Sequence, residues 1–161
     1  MTDIRTDTTH SLDAARIPYR ILAHDGPVFT CEDAARARGV RPAQVTKTMV
    51  GRDPTGKLYV MLLPGDQKLK IKRVRQAAGG KRIELVPPDE IASQLGLVVG
   101  AISPIDLIGK ADIYMDRRLL DEKQVTVSAG VPEAGIELAS QQLAELLAAV
   151  IGDFVSTSAS A

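Results

Sequence analysis

The residues most able to do chemistry in this chain are few, and Lys47 comes first. It is the lone charge in Val45-Thr46-Lys47-Thr48-Met49-Val50, a run that reads as a strand. A lysine ammonium is a compact, strongly hydrated charge, seldom held in a sheet without a partner. By strand alternation it shares a face with Val45 and Met49, so it either enters a cleft or reaches a rim. Gly100-Ala101-Ile102-Ser103-Pro104 follows another apolar stretch. Gly-x-x-x-Pro at that place makes a stiff, backbone-walled loop that a small group can approach closely. A cation facing such a loop suits a phosphate, a carboxylate or an ester carbonyl. Ser128 ends Val125-Thr126-Val127 and its hydroxyl can face the same cleft, although strand-end serines commonly bond only to nearby backbone.

Other chemistry is weaker. Cys31 follows a helix cap, where the helix dipole lowers a thiol pKa. A pair with His24 is conceivable, but no third group orients it. His10 and His24 make no metal set alone, and neither H-x-x-x-H nor C-x-x-C spacing occurs. The glycines of Gly79-Gly80 and Gly96…Gly100 match neither a phosphate-binding Walker loop nor a dinucleotide fingerprint. Neither a metal nor an organic cofactor is expected.

These residues need elements to position them. Residues 9–17 read as a short helix stopped by Pro18, and Tyr19–Ala23 as a strand. Thr30 caps a helix that ends at Gly39, and Pro42 opens a short helical segment. Thr46–Gly51 and Lys57–Leu63 flank Asp53-Pro54-Thr55-Gly56, a hairpin turn in which Pro sets φ and Gly supplies φ > 0. Gln67–Ala78 reads as an amphipathic helix, with Ile71, Val74 and Ala78 on one face and Lys68, Lys72 and Arg75 on another. Arg82–Val86 and Leu97–Ile102 read as strands around a helix at Pro88–Leu95. Ala111–Asp116 and Gln124–Ala129 alternate as half-buried strands do, and Gly135–Ala139 is a further strand. Ser140 then caps a helix over Gln141–Val150. Mixed elements without strict strand–helix–strand order argue for an α+β fold.

Composition sets the outer bounds. At 161 residues the chain is expected to form a single domain over 1–161, with 1–8 and 156–161 frayed. Hydrophobic residues at 45% with 3% aromatics and no Trp require an aliphatic core. One cysteine excludes an internal disulfide and fits a reducing compartment. Met1–Thr9 is polar and mixed in charge, unlike a signal peptide, and no apolar run approaches the ~18 residues of a membrane span. A soluble, cytoplasmic protein without membrane partners is expected. Up to Ile83 there are 16 Lys and Arg against 8 Asp and Glu, and from Glu84 onward 4 against 12. The basic excess peaks over Lys68–Arg82, which suggests either a polyanion partner or a solvated face.

Several fragments also stand in one order: His24-Asp25, Glu32-Asp33-Ala34-Ala35, Gly39-Val40, Lys47-Thr48-Met49-Val50 and Leu63-Pro64-Gly65-Asp66. Leu69-Lys70-Ile71-Lys72, Gly100–Pro104, Val127-Ser128-Ala129-Gly130 and Ile136-Glu137-Leu138 follow. In that register nearly the whole chain resembles the YbaK/ProX family of aminoacyl-tRNA editing deacylases, also found as the editing domain of bacterial prolyl-tRNA synthetases. The resemblance implies a curved, barrel-like mixed sheet with helices packed around it. It further implies hydrolysis of the ester between a wrong, small amino acid (Cys or Ala) and tRNA, typically tRNA for proline. Aminoacyl-tRNA is the implied partner, and a prolyl-tRNA synthetase a further one. Chemistry gives such an activity a reason, because one methylene discriminates by only ~1–3 kcal/mol and a second sieve is then needed.

Lys47 matches the family's key lysine, and Gly100 with Pro104 its G-x-x-x-P loop. The resemblance makes Lys47 an electrostatic anchor for the terminal phosphate or the aminoacyl carbonyl. Gly100, Ala101, Ile102 and Ser103 cradle the aminoacyl group and offer oxyanion donors. Thr48 and Ser128 are expected to line the pocket or place water, with Pro104 and Gly130 further substrate-binding residues, while the basic excess makes Lys68, Lys72 and Arg75 the expected tRNA-binding face. Cysteine-specific members carry S-G-G-x-R-G where this chain reads Ser128-Ala129-Gly130-Val131-Pro132-Glu133, and alanine-specific members often carry His in place of Ser128. A non-catalytic module that binds tRNA or a synthetase is the other reading, since a fold does not guarantee activity.

Overall fold

The computed structural model describes residues 4–98 and 101–156. The first half contains α1 (Asp7–Ala14), β1 (Tyr19–Ala23), α2 (Cys31–Arg38), β2 (Thr46–Arg52), β3 (Leu58–Pro64), α3 (Ile71–Ala77) and β4 (Glu84–Leu85). The second contains α4 (Pro88–Leu95), β5 (Ala111–Asp116), β6 (Gln124–Ser128), β7 (Ala134–Ala139), α5 (Ser140–Leu147) and β8 (Val150–Gly152). Short 3-10 turns stand at Pro42–Gln44, Pro104–Leu107 and Arg117–Asp121.

Strands fall into two open sheets. One has the order β1-β7-β6 and is antiparallel throughout. The other runs β4-β2-β3-β5-β8, antiparallel around β2 and parallel from β3 to β8. A parallel bridge between Val45 and Thr126 joins them just before β2. The fold is α+β as expected, and its mixed strands do not close into a barrel.

The main core gathers Leu12 of α1, Val60 and Leu62 of β3, Met115 of β5, Val125 and Val127 of β6, Ile136 and Leu138 of β7 and Leu143 of α5. Tyr59, Met61, Val74, Ile83, Tyr114 and Phe154 pack on the opposite side of β3 and β5. β3 is therefore covered on both faces, which is why Leu58–Leu63 is continuously apolar instead of alternating. β5 and β6 depart from the half-buried pattern for the same reason: Ile113–Asp116 and Val125–Val127 are buried without interruption. Each fully buried Leu or Ile contributes about 1.5–3 kcal/mol relative to exposure.

Several boundaries move for tertiary reasons. The first helix covers Asp7–Ala14 instead of 9–17, because Thr6 caps it through the Thr9 N–H. Residues 4–8 are not frayed: Thr6 Oγ1 donates to Ala129 O, and Thr8 Oγ1 donates to Asp106. The helix expected over Gln67–Ala78 begins only at Ile71. Leu69 pairs with Val155, Lys70 N donates to Phe154 O and Ser156 N to Lys68 O, so this stretch is extended. Those bonds also tie down Ser156. The strand expected at Arg82–Val86 shortens to Glu84–Leu85, and Leu97, Val98, Ala101 and Ile102 belong to no strand. Ser140 opens α5 but caps nothing; its hydroxyl donates to Glu122 O. The helix stops at Leu147 because Ala148 takes φ 49°, and Val150 enters β8.

Candidate active site

Past the Val45–Thr126 bridge, β2 and β6 run the same way but belong to different sheets. A cavity of about 430 Å³ opens beside this junction, with Lys47 and Thr48 of β2 and Ser128 of β6 in its lining. Cys31, Ala34 and Arg38 of α2 form another part of its wall, and Val86, Pro87, Pro88 and Ile91 a further one. Phe29 and Leu85 line it while 60% and 42% of their surfaces stay exposed. The wall is apolar apart from a few hydroxyls, the Cys31 thiol and the cations Lys47 and Arg38. Among the described residues it contains no Asp or Glu.

Local sequence explains how these side chains arrive. Thr30 caps α2 by accepting from Asp33 N, and Gly39 ends it in the left-handed region, leaving Arg38 on the last turn. Gly65 follows β3 where a Cβ would stand 2.9 Å from both Cys31 Cβ and Pro42 O. Only a bare backbone lets the end of β3 meet α2 so closely. Gly65 N donates to Val45 O, which fixes the start of β2 beside the cavity.

Lys47 Nζ donates to Gln67 O at 2.7 Å and forms no ion pair among the described residues. Arg38 Nε donates to His24 Nε2 at 3.2 Å, and Nη1 donates to the buried Thr126 Oγ1 at 2.9 Å. Burial pushes the Arg38 pKa down to about 10, which leaves it a cation at neutral pH. His24 Nδ1 lies 3.2 Å from Pro132 O, so a neutral ring protonated at Nδ1 satisfies both contacts. Burial first, and then the Arg38 charge, lower the His24 pKa. Burial raises the Cys31 thiol, against the opposing pull of Lys47 and Arg38. The Cys31–His24 pair considered from sequence does not form, because both ring nitrogens of His24 are engaged elsewhere. Among the described residues no group of three or more His, Cys, Asp or Glu stands together, so no metal-ligand set can be named.

Of the residues singled out from sequence, Lys47, Thr48, Ile102 and Ser128 line this cavity together. Gly100 lies outside the described residues. Ala101 donates to Val98 O, Ser103 is buried, and Pro104 begins a 3-10 turn; these do not line the cavity. Gly130 N donates to Ser128 Oγ at 3.1 Å, so the glycine orients the serine from behind. Lys68 and Lys72 are exposed, and Lys68 is not on the helix expected to carry it. Arg75 Nε donates to Ile83 O and so has a structural partner. Lys68 nevertheless follows the residue whose carbonyl holds Lys47. Arg38 was not singled out, because His24, Thr126 and the rest of its setting lie far from it in sequence. Only an arginine directly before a helix-ending glycine marked the position.

The model of the family described as "Aminoacyl-tRNA editing domain" matches residues 25–146. A protein of Enterococcus faecalis named as a Cys-tRNA(Pro)/Cys-tRNA(Cys) deacylase, EbsC, is 26% identical, over 90% of this chain and 94% of its own. The prolyl-tRNA editing protein ProX of Acetoanaerobium sticklandii is 24% identical, over 91% of this chain and 92% of its own. Among solved structures, the hypothetical protein APE2540 superposes with a TM-score of 0.86 at 28% identity, covering 94% of this chain and 100% of that one.

Proposed function

The chain belongs to the aminoacyl-tRNA editing domain family, and on that premise we propose that it is a trans-acting deacylase of mischarged tRNA. Its most fitting substrate is tRNA for proline carrying a small wrong amino acid, Cys or Ala. The observation that carries this reading is the cavity at the β2–β6 junction, apolar, cationic and free of carboxylates in its lining. A polyanionic 3′ end bearing a small apolar acyl group matches those properties. Acyl-ester hydrolysis needs a held substrate, a placed water or substrate hydroxyl, and donors for the developing oxyanion.

Lys47 supplies a cation on a strand, restrained by one bond to Gln67 O and with further N–H donors to offer. It anchors the terminal phosphate or polarises the ester carbonyl. Thr48 and Ser128 offer hydroxyls for a water or the ribose, and Ile102 packs on the acyl group. The family likeness assigns the acyl group to the Gly100–Pro104 stretch as well, of which Ile102 is the residue that lines the cavity among those described. Lys68, next in the chain to Gln67, and Lys72 are exposed and extend the positive surface along the tRNA backbone. Arg75, with its bond to Ile83 O, supports them from α3. Action in the cytoplasm, alongside a prolyl-tRNA synthetase, follows from this substrate.

The test is a panel of tRNAs charged with Ala, Cys, Ser, Thr or Pro, scored for loss of the ester. Faster release of Ala or Cys than of Pro from tRNA for proline is the expected result. Binding of these tRNAs with every ester left intact would instead make the chain a tRNA-binding module.

A further inference from the structure

The reading above leaves one pocket cation unused. Arg38 is built into place. Its guanidinium lies across Gly135 of β7, where an added Cβ would stand 2.2 Å from Nε and 2.5 Å from Cζ. Any other residue at 135 would displace it. Nε and one hydrogen of Nη1 are spent on His24 and Thr126. The Nη2 amino group and the second Nη1 hydrogen have no partner among the described residues. The partners it has, His24 and Thr126, are neutral, and it forms no ion pair among the described residues. Cys31, between Arg38 and Lys47 electrostatically, does not neutralise them, because its thiol is held protonated by burial.

Arginine differs from lysine here. A planar guanidinium presents parallel N–H donors that match phosphate oxygens two at a time, whereas lysine is a point charge. A substrate with an aminoacyl ester has no carboxylate at its acyl carbon. The anion it brings to such a pocket is the phosphodiester before its terminal nucleoside. We propose that Arg38 is the phosphate-binding residue of this site, gripping the phosphodiester on the 5′ side of the terminal adenosine and leaving Lys47 to the ester carbonyl. This rests on the deacylase reading for the identity of the substrate, but not for the presence of a phosphate site. Gly135, His24 and Thr126 are then positioning residues, which hold the guanidinium fork at a fixed angle to the cavity.

The probes are adenosine 5′-monophosphate and adenosine, which differ only by the phosphate. Calorimetric titration of the wild-type protein should show the monophosphate binding at least about tenfold tighter, the scale of a charge-assisted contact. In Arg38→Gln that preference should vanish while adenosine affinity is retained. With mischarged tRNA, Arg38→Gln should raise KM roughly ten- to hundredfold and change kcat by only a few-fold. Lys47→Ala should do the reverse, losing kcat foremost. Equal affinity of the wild type for both probes, no measurable monophosphate binding, or a preference that survives in Arg38→Gln would overturn the proposal. Should Arg38→Gln fail to fold by circular dichroism, Arg38→Lys keeps the charge without the fork. A reduced preference there supports the proposal, and an unchanged one overturns it. If no tRNA loses its ester yet the preference depends on Arg38, the deacylase reading fails and the phosphate site stands.

Discussion

The β2–β3 hairpin handles charge in opposite ways at its two ends. At the closed end Asp53 is satisfied from every side. Its Oδ1 accepts from the Thr55 hydroxyl, Thr55 N and Lys57 N, and its Oδ2 accepts from Tyr59 OH at 2.8 Å. Lys57 is paired with Asp112 at 2.9 Å and stands 5.8 Å from the Tyr59 ring centre. At the other end Lys47 and its neighbour in the cavity, Arg38, meet only neutral acceptors among the described residues. Charge that is answered within the fold stabilises the turn. Charge that is left partly unanswered costs desolvation and is recovered only when an anion arrives. The same pair of strands thus answers its charge within the fold at one end and, in the proposed site, leaves it for a substrate at the other.

The contrast is sharpest if the two ends can be damaged separately. Lys47→Ala should lower kcat/KM for deacylation by about 10²-fold or more while leaving the thermal midpoint close to wild type. Turnover by a folded Lys47→Ala protein at the wild-type rate would remove the lysine from the chemistry. Asp53→Ala should behave the other way. It removes the acceptor for four donors, one of them the buried Tyr59 hydroxyl, so the melting midpoint should drop by several degrees with KM and kcat retained. The carboxylate also has a pH signature. The Thr55 hydroxyl above all, then Tyr59 and the turn N–H groups, hold its pKa down to about 2. Its contribution is fully present above the ordinary value of 3.8 and is lost as pH falls from there toward about 2. Asp53→Asn should flatten the acid limb of a stability profile in that window.

The open end should extend along the exposed lysines. Lys68→Gln with Lys72→Gln should weaken tRNA binding several-fold and flatten the slope of log affinity against log salt by roughly one to two units, at about 0.7–0.9 per contact. Discrimination between amino acids should not change, because phosphate contacts position and the pocket specifies. A slope equal to wild type would make these lysines a solvated face. The smallest effect concerns His24. Its folded pKa is lowered by burial and by Arg38, so the unfolded chain takes up the proton first as pH falls below about 6.5. Stability should therefore decline below that pH, and His24→Gln should remove this part of the decline in a comparison of midpoints at pH 7 and pH 5.5.

Where a feature depends on residues within a few positions of it, the sequence alone determined it. Thr30 and Gly39 bound α2, Asp53-Pro54-Thr55-Gly56 makes the turn with Gly56 at φ 89°, and Pro88–Leu95 is the helix that its proline and Gly96 predict. Lys47 stood out for the same kind of reason, as one charge in a short apolar strand. Caps, turns and alternation are settled by local dihedrals and hydrogen bonds, so their signals survive in a linear reading.

The tertiary structure decided what depends on distant partners. Leu69 opposite Val155 converts the first turn of an apparent helix into an extended segment and moves Lys68 off it. Coverage of β3 and β5 on both faces overrides the alternation that suggested half-burial for β5. The Val45–Thr126 bridge sets two sheets side by side and so creates the cavity at which Lys47 and Ser128 meet. Arg38 is the plainest case. Whether an arginine is a surface charge or a pocket charge depends on what it lies against, here the bare Cα of Gly135 on β7, the His24 ring and the Thr126 hydroxyl. Those are contacts across the fold, and no local propensity encodes them.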